Sequence, residues 1–238
     1  RRPAFPADAL DEVRRQALTA IESQRKEPEA LAENMLGRIG NPYPRGDVRY
    51  VRTFDEMVQD VNAVSLEKIR DFHQRFYGAA RGEFAAAGDL DLAAVRAALQ
   101  EGFGDWNAGA SYVRVAHPFV APVPQRQVIV TPDKQNATLL ARLPLPLSEA
   151  DADYPALSMA NYLFGLGGSS RLWKRIRETE GLSYDVRSVV SWNSREQNSI
   201  WTASAIFAPQ NGAKVEKAFR EELARALKDG FTAQELSE

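Results

Sequence analysis

Backbone hydrogen bonding limits what the first part of this chain can fold into. Up to residue 108 the sequence predicts one β-strand, Glu83 to Ala87, among helices. A lone strand cannot form a sheet, because its N–H and C=O groups need partners on at least one side. We therefore expect this strand to find its partners elsewhere in the chain or upstream of Arg1.

The other elements are predicted from caps, glycine stops and the spacing of apolar side chains. Helices are expected over Asp8–Glu27, Glu29–Ile39, Asp55–Val61, Ser65–Gly78, Asp91–Phe103, Ala152–Phe164, Ser170–Thr179 and Gly212–Lys228. Strands are expected over Gln127–Thr131, Ala137–Leu143, Leu182–Trp192 and Ser199–Phe207. Residues 109–126 are rich in proline, which is typical of a connector, so we predict two domains over residues 1–108 and 127–238.

The composition argues against several functional classes. A formal charge of -2 and a pI near 5.9 provide no basic surface for nucleic acid. No apolar stretch approaches the length of a membrane span, so a soluble protein is expected. The absence of cysteine excludes disulfides, thiolate metal sites and a cysteine nucleophile. Periplasm and cytoplasm both fit this composition, with the periplasm slightly favoured.

Both ends indicate a piece of a longer polypeptide. The first residues lack the apolar core of a signal peptide, so any targeting segment is expected upstream of Arg1. At the other end, residues 232–235 form a capping box, which normally opens a helix, and the chain stops three residues later.

The stretch from Gly167 to Tyr184 points to a candidate site. A turn of small residues opens a short basic helix, Gly181 stops the helix, and a strand then carries Tyr184. Arg177 lies near the helix end, so both side chains can reach one point, where two donors suit a peptide carbonyl or an oxyanion. The alternative is a surface arginine and a half-buried strand tyrosine. The glycine–serine turn lacks a Walker lysine, which favours a structural turn over a phosphate site.

These residues resemble the pitrilysin/insulinase family of zinc metallopeptidases, of the inverzincin type. The family pattern is Gly-Gly-x-Ser-Ser-Arg-Leu-x-x-x-Ile/Leu-Arg-x-x-x-x-Leu-x-Tyr, and residues 167–184 match it with one residue fewer before the serines. Residues 27–45, 72–77 and 85–91 also resemble family segments, in the same order. The resemblance implies an α+β fold, an α/β sandwich in which an antiparallel-rich sheet carries helices on one face, with two incomplete family domains.

The resemblance also implies which half of such a peptidase the chain represents. Family members have two halves that close around a peptide, and the zinc lies in the first half on a His-x-x-Glu-His helix. This chain has only His73 and His117, neither in such a motif, and the distal ligand position falls near Ala20. We therefore expect no cofactor here and zinc in a partner half, on the same polypeptide or on a separate subunit.

The family's second half contributes an arginine and a tyrosine, which fall on Arg177 and Tyr184. The resemblance implies that Tyr184 donates its hydroxyl to the scissile carbonyl or its oxyanion, and that Arg177 binds carbonyls of the substrate backbone. Gly168, Ser169 and Ser170 are further candidates for substrate binding. Two alternatives stay open. The first is a scaffold or partner subunit, as zinc-less relatives are in respiratory complexes. The second is a peptide-binding module that works alone.

Overall fold

The computed structural model describes residues 3–237 and contains the predicted helices near their expected bounds. In chain order the α-helices are α1 (Ala7–Gln24), α2 (Pro28–Arg38), α3 (Phe54–Asn62), α4 (Leu66–Phe76), α5 (Leu92–Phe103), α6 (Tyr154–Asn161), α7 (Gly212–Asp229) and α8 (Ala233–Ser237). Two π-helices, Tyr162–Leu166 and Trp173–Thr179, and a short 3-10 helix, Pro209–Asn211, complete the helical elements of these residues. Ser65 caps α4 with its side-chain oxygen, as the sequence predicts, and Asp91 caps α5 in the same way.

These residues divide into two compact units. The first contains residues up to Glu22 together with Phe54–Val115, and the second contains Ser23–Thr53 together with Ala116 onward. The predicted division of the chain into domains at residues 109–126 stays a prediction.

The first unit is helical, and its helices are only partly buried. None of the described residues of α1, α3, α4 and α5 is buried. Its aromatic side chains stack instead, with the His73 ring 5.0 Å from Tyr77 and 6.1 Å from Trp106. The predicted strand Glu83–Ala87 is wrong. Those residues are irregular and exposed, because no second strand among the described residues of this unit offers them backbone partners.

The second unit contains an antiparallel sheet in the order β1, β3, β2. Its strands are β1 (Ala137–Leu145), β2 (Ser183–Ser191) and β3 (Ser199–Phe207). The central β3 pairs along its whole length with β1, from Ala137 opposite Phe207 to Leu145 opposite Ser199. Helices and an antiparallel sheet together confirm the predicted α+β class.

One face of this sheet carries the core. Alanines and Phe207 on alternate positions of β3 are buried against α7 and the segment around the second π-helix. Leu172 and Ile176 in that segment are both 0% exposed. Gly165 approaches β2 so closely that a Cβ there would lie 2.5 Å from the Ser188 hydroxyl, so only glycine fits.

The predicted strand Gln127–Thr131 is also wrong. The segment is irregular, and Val128 and Val130 are exposed to solvent. β1 begins at Ala137 and pairs with β3 rather than with residues 127–131. The alternating apolar residues of that segment therefore have no neighbouring strand among the described residues.

Among residues 3–237, no helix combines the length and the apolar composition that crossing a membrane requires.

Removing side-chain volume at Ile176 should destabilise the second unit strongly. Ile176→Ala leaves a cavity in a fully buried site, and we expect it to lower the free energy of unfolding by about 2–5 kcal/mol in urea titrations. Leu227→Ala is the matched control, because Leu227 on α7 is 80% exposed. Equal effects of the two substitutions would contradict the assignment of the core.

Candidate functional site

The helix that carries Arg177 is a π-helix, which the sequence did not predict. The N–H of Glu180 donates to the carbonyl of Arg175 at 2.9 Å, five residues back, and the Thr179 hydroxyl donates to the carbonyl of Lys174 at 2.8 Å. Gly181, with a φ of 59°, then ends the helix as expected. π-Helical turns are rare and are frequent at functional sites.

A β-bulge lies at Tyr184, at the start of β2. Ser183 is opposite Phe207 and Asp185 is opposite Ile206, so Tyr184 is an extra residue without a partner on β3. The buried Ser183 hydroxyl accepts a hydrogen bond from the Asp185 N–H at 3.2 Å and lies 2.6 Å from the Ile206 carbonyl oxygen. These contacts satisfy backbone groups that the bulge removes from the ladder.

The bulge changes the face on which Tyr184 lies. In an unbroken strand Tyr184 would share a face with Val186, which is buried in the core. Because of the extra residue, Ser183 faces the core together with Val186, and these two residues lie opposite Phe207 and Ala205. Tyr184 is left outside the core and is 58% exposed. The structure therefore presents this tyrosine to solvent.

Arg177 and Tyr184 are brought together by these two irregularities. Nη1 of Arg177 donates a hydrogen bond to the backbone carbonyl of Tyr184. The guanidinium also lies 4.1 Å from the centre of the Trp173 ring, in a cation–π contact. A guanidinium has five N–H donors, so this arrangement leaves donors of an exposed side chain for a ligand.

The three other candidates occupy different environments. Gly168 and Ser169 lie on the surface, whereas Ser170 is 2% exposed and its hydroxyl has no hydrogen-bond partner among the described residues. The carbonyl of Ser170 accepts from the Lys174 N–H at 2.9 Å, which starts the helical segment. Ser170 therefore lies inside the unit, and the exposed candidates of this turn are Gly168 and Ser169.

Tyr184 lines a shallow cleft of about 420 Å³ beside the start of α2. Three glutamates of the α2 region, Glu27, Glu29 and Glu33, line the same cleft, together with Lys134. Lys134 pairs with Glu27 at 2.9 Å. The tyrosine is therefore open to a ligand, next to a mainly acidic wall.

An ion pair anchors the start of the site segment. Nε of Arg171, which is buried, donates to Oε1 of Glu235 at 2.5 Å, and Nη2 donates to Oε2 at 2.8 Å. Glu235 also accepts from the Thr232 N–H at 2.7 Å, so the predicted capping box forms and opens α8. The Arg171 guanidinium, followed by the Thr232 contacts, lowers the pKa of Glu235 to about 2.

Buried polar contacts fix β2 and β3 against α6. The Oδ1 of Asn161 accepts from the Ser188 hydroxyl at 2.7 Å and from Nε1 of Trp201 at 3.0 Å. Its Nδ2 donates to the Ser188 carbonyl at 3.1 Å. Since every polar atom of this amide is engaged, the contacts fix the relative position of the helix and the strands.

The histidines do not form a metal site. In the part of the chain that the structure describes, no cluster of three histidine, cysteine or acidic side chains is placed to hold a metal ion. His73 stacks on Tyr77, and the backbone N–H of His117 donates to Glu196 at 2.8 Å. The residues present therefore do not fit a zinc ion bound by three protein ligands.

The first comparison with known proteins concerns sequence. A family model described as "Peptidase M16 inactive domain" matches residues 63–238. Two proteins named "uncharacterized zinc protease", from Mycobacterium bovis and Mycobacterium tuberculosis, are each 28% identical to this chain over 238 residues. These matches cover 96% of this chain and 51% of each relative, so the chain spans about half the length of the curated relatives it matches.

Solved structures show the same fold. A peptidase M16 inactive domain from Pseudomonas fluorescens matches with a TM-score of 0.75 and 23% identity, over 99% of this chain and 55% of that one. A protease from Helicobacter pylori matches with a TM-score of 0.75 and 16% identity, over 98% and 56%. The periplasmic protease PqqL from Escherichia coli matches with a TM-score of 0.58 and 16% identity, over 97% and 25%.

The Arg171–Glu235 pair should make stability depend on pH. Because the folded-state pKa of Glu235 lies below its ordinary value of 4.5, the pair stabilises the fold fully above about pH 5 and loses its effect as pH falls towards 2. We expect Glu235→Gln to cost about 1–3 kcal/mol of unfolding free energy at pH 7 and almost nothing near pH 2, measured by urea unfolding. Glu178→Gln, at an exposed position of the second π-helix, is the control. A cost that stays constant with pH would contradict this account.

Proposed function

The chain belongs to the M16 peptidase family, as an inactive domain of it, and from this premise we propose that it is the zinc-free half of a zinc-dependent peptidase. In this role it binds the peptide substrate and completes the active site of the zinc-carrying half. Its membership confirms the resemblance to the pitrilysin/insulinase peptidases, and the solved structures confirm the expected fold.

The observation that carries the proposal is the placement of Arg177 and Tyr184. A π-helix and a β-bulge, one on each side of Gly181, place an exposed guanidinium against the backbone of an exposed tyrosine. π-Helical turns and β-bulges are both features that are frequent at functional sites.

Each side chain has a distinct chemical task in this proposal. The Tyr184 hydroxyl donates a hydrogen bond to the peptide carbonyl oxygen, and the bond strengthens as that oxygen becomes an oxyanion. Arg177 keeps the Tyr184 backbone in place through one N–H and offers its other N–H groups to carbonyls of the substrate backbone. Closure of the two halves around the peptide brings these donors to the reacting bond.

Zinc is part of this proposal only in the partner half. The described residues offer no three-ligand site, so the zinc-carrying half, on the same polypeptide or as a separate subunit, supplies the metal that activates water. A periplasmic location is also our proposal, supported by the likeness to a periplasmic protease.

Loss of the Tyr184 hydroxyl should slow turnover. In the assembled peptidase, with both halves present, we expect Tyr184→Phe to lower kcat by about 10²- to 10³-fold with little change in KM, because one oxyanion donor is removed. Tyr162→Phe is the control, since Tyr162 is a comparably exposed tyrosine of the same unit. Wild-type turnover by Tyr184→Phe in a correctly assembled enzyme would overturn the assigned role.

Loss of the Arg177 charge should mainly weaken substrate binding. We expect Arg177→Gln to raise KM about tenfold and to lower kcat less than Tyr184→Phe does, because it removes contacts made in the ground state as well as in the transition state. Arg187→Gln, an exposed arginine on β2, is the control. Steady-state kinetics on a fluorogenic peptide separates the two parameters, and an unchanged KM would contradict the role of Arg177.

The alternative is a scaffold or partner subunit without a part in catalysis. The same variants distinguish this alternative from the catalytic role. If the chain is a scaffold, Tyr184→Phe and Arg177→Gln should still assemble with the zinc-carrying half and should support cleavage as well as wild type does. Calorimetry of this chain alone with unfolded peptides tests the third possibility, because a self-sufficient binding module requires tight binding without the other half.

A further inference from the structure

We propose that a second cleft of the same unit, the basic cleft, binds a carboxylate group of the peptide through Arg142. The basic cleft has a volume of about 690 Å³ and lies between the end of α2, the proline-rich segment before β1, and β1 itself. Its polar lining includes Asn41, Arg126, Arg142, Asn198 and Arg220. This inference rests on the proposed peptide-binding function and adds a chemical preference to it.

The lining of the basic cleft is one-sided in charge. It contains three arginines and, among the described residues, no aspartate or glutamate. Arg126 and Arg220 are neutralised in part from outside the cleft, since both pair with Glu216, at 3.0 Å and 2.9 Å. The side chain of Arg142 makes no hydrogen bond or ion pair with any residue that the structure describes. The cleft therefore attracts an anion.

Arg142 is placed to receive that anion directly. It lies in the middle of β1, opposite Thr202 on β3. Ala141 beside it packs on the core, so Arg142 lies on the opposite face of the sheet, where the basic cleft opens. Arg142 is an exposed residue whose partial burial lowers the pKa of its guanidinium, which stays charged at neutral pH. A bound carboxylate would supply the missing partner with two parallel hydrogen bonds.

Two amide side chains of the basic cleft are already engaged. Nδ2 of Asn41 donates to the Arg49 carbonyl at 3.0 Å, and Nδ2 of Asn198 donates to the His117 carbonyl at 2.8 Å. The prolines of the lining segment, Pro118, Pro122 and Pro124, have no backbone N–H to offer. Arg142 is thus the arginine of the lining that has no carboxylate partner among the described residues, which favours an anionic group over a neutral amide.

The basic cleft and the Tyr184 cleft lie at opposite ends of α2. Glu27 and Pro28 at the start of this helix line the Tyr184 cleft, and Leu36 and Ile39 at its end line the basic cleft. An α-helix of this length spans roughly 16 Å, which about five residues of an extended peptide cover. A peptide lying along α2 would place its carboxylate about five residues from the bond at Tyr184.

The test is calorimetry of the 238-residue chain with three matched hexapeptides. The first is Ac-Gly-Ala-Gly-Ala-Gly-Ala as the free acid, and the second is the same peptide as the C-terminal amide. The third is that amide with one internal aspartate. We expect a carboxylate peptide to bind at low ionic strength and the neutral amide to bind at least about tenfold more weakly. Arg142→Gln should weaken the carboxylate peptide about tenfold, Arg142→Lys less, and added salt should weaken binding to the wild type.

Arg187→Gln is the matched control, because Arg187 is an exposed arginine on the same face of the sheet but outside the basic cleft. Urea unfolding of each variant verifies that the fold is intact. Equal binding of the amide, no binding of any of the peptides, or unchanged binding by Arg142→Gln each overturns the proposal. Preference for the free acid identifies the peptide terminus as the carboxylate, and preference for the aspartate peptide identifies a side chain.

This measurement does not involve the zinc-carrying half or Tyr184. Loss of carboxylate selectivity with a normal Tyr184→Phe effect on turnover would refute only the basic cleft. An absent Tyr184→Phe effect with intact selectivity would refute only the catalytic role.

Discussion

The burial of Leu172 and Ile176 is the constraint on which the candidate site depends. Both side chains are fully enclosed between the sheet and α7, so the helical segment that carries them has one possible orientation. Arg177 directly follows the fixed Ile176, and the wider π-helical turn carries it to the surface next to the start of β2. A packing requirement of the core thereby sets the direction of a candidate site residue.

The bulge at Tyr184 is also related to the packing of the core. A regular strand would turn this large side chain into the core beside Val186, where the π-helix segment already fills the space. The extra residue keeps Ser183 and Val186 on the core face and releases Tyr184, while the Ser183 hydroxyl satisfies the displaced backbone groups. The two irregularities support one another, because the Arg177 guanidinium binds the bulged carbonyl.

Arginines in this unit perform three different tasks. Arg171 is buried, donates hydrogen bonds to Glu235 from the edge of its guanidinium and lies over the Phe231 ring with one face, so it fixes the backbone. Arg175 contacts Glu180, Glu221 and Glu222 and joins the second π-helix to α7. The side chain of Arg142 has no such partner among the described residues, and its proposed task is to bind a ligand. Within one unit, paired guanidinium groups such as those of Arg171 and Arg175 hold the structure, and an unpaired one is available to a ligand.

The sequence by itself determined the helices, β3, the glycine stop at Gly181, the capping box and the family, because caps, spacing and motifs are local properties. It failed at Glu83–Ala87 and Gln127–Thr131, because a strand exists only where another strand accepts its hydrogen bonds. It also named Arg177 and Tyr184 but gave neither the π-helix nor the bulge. Those were decided by the tertiary structure alone, because register and exposure follow from which neighbouring side chains already occupy the core.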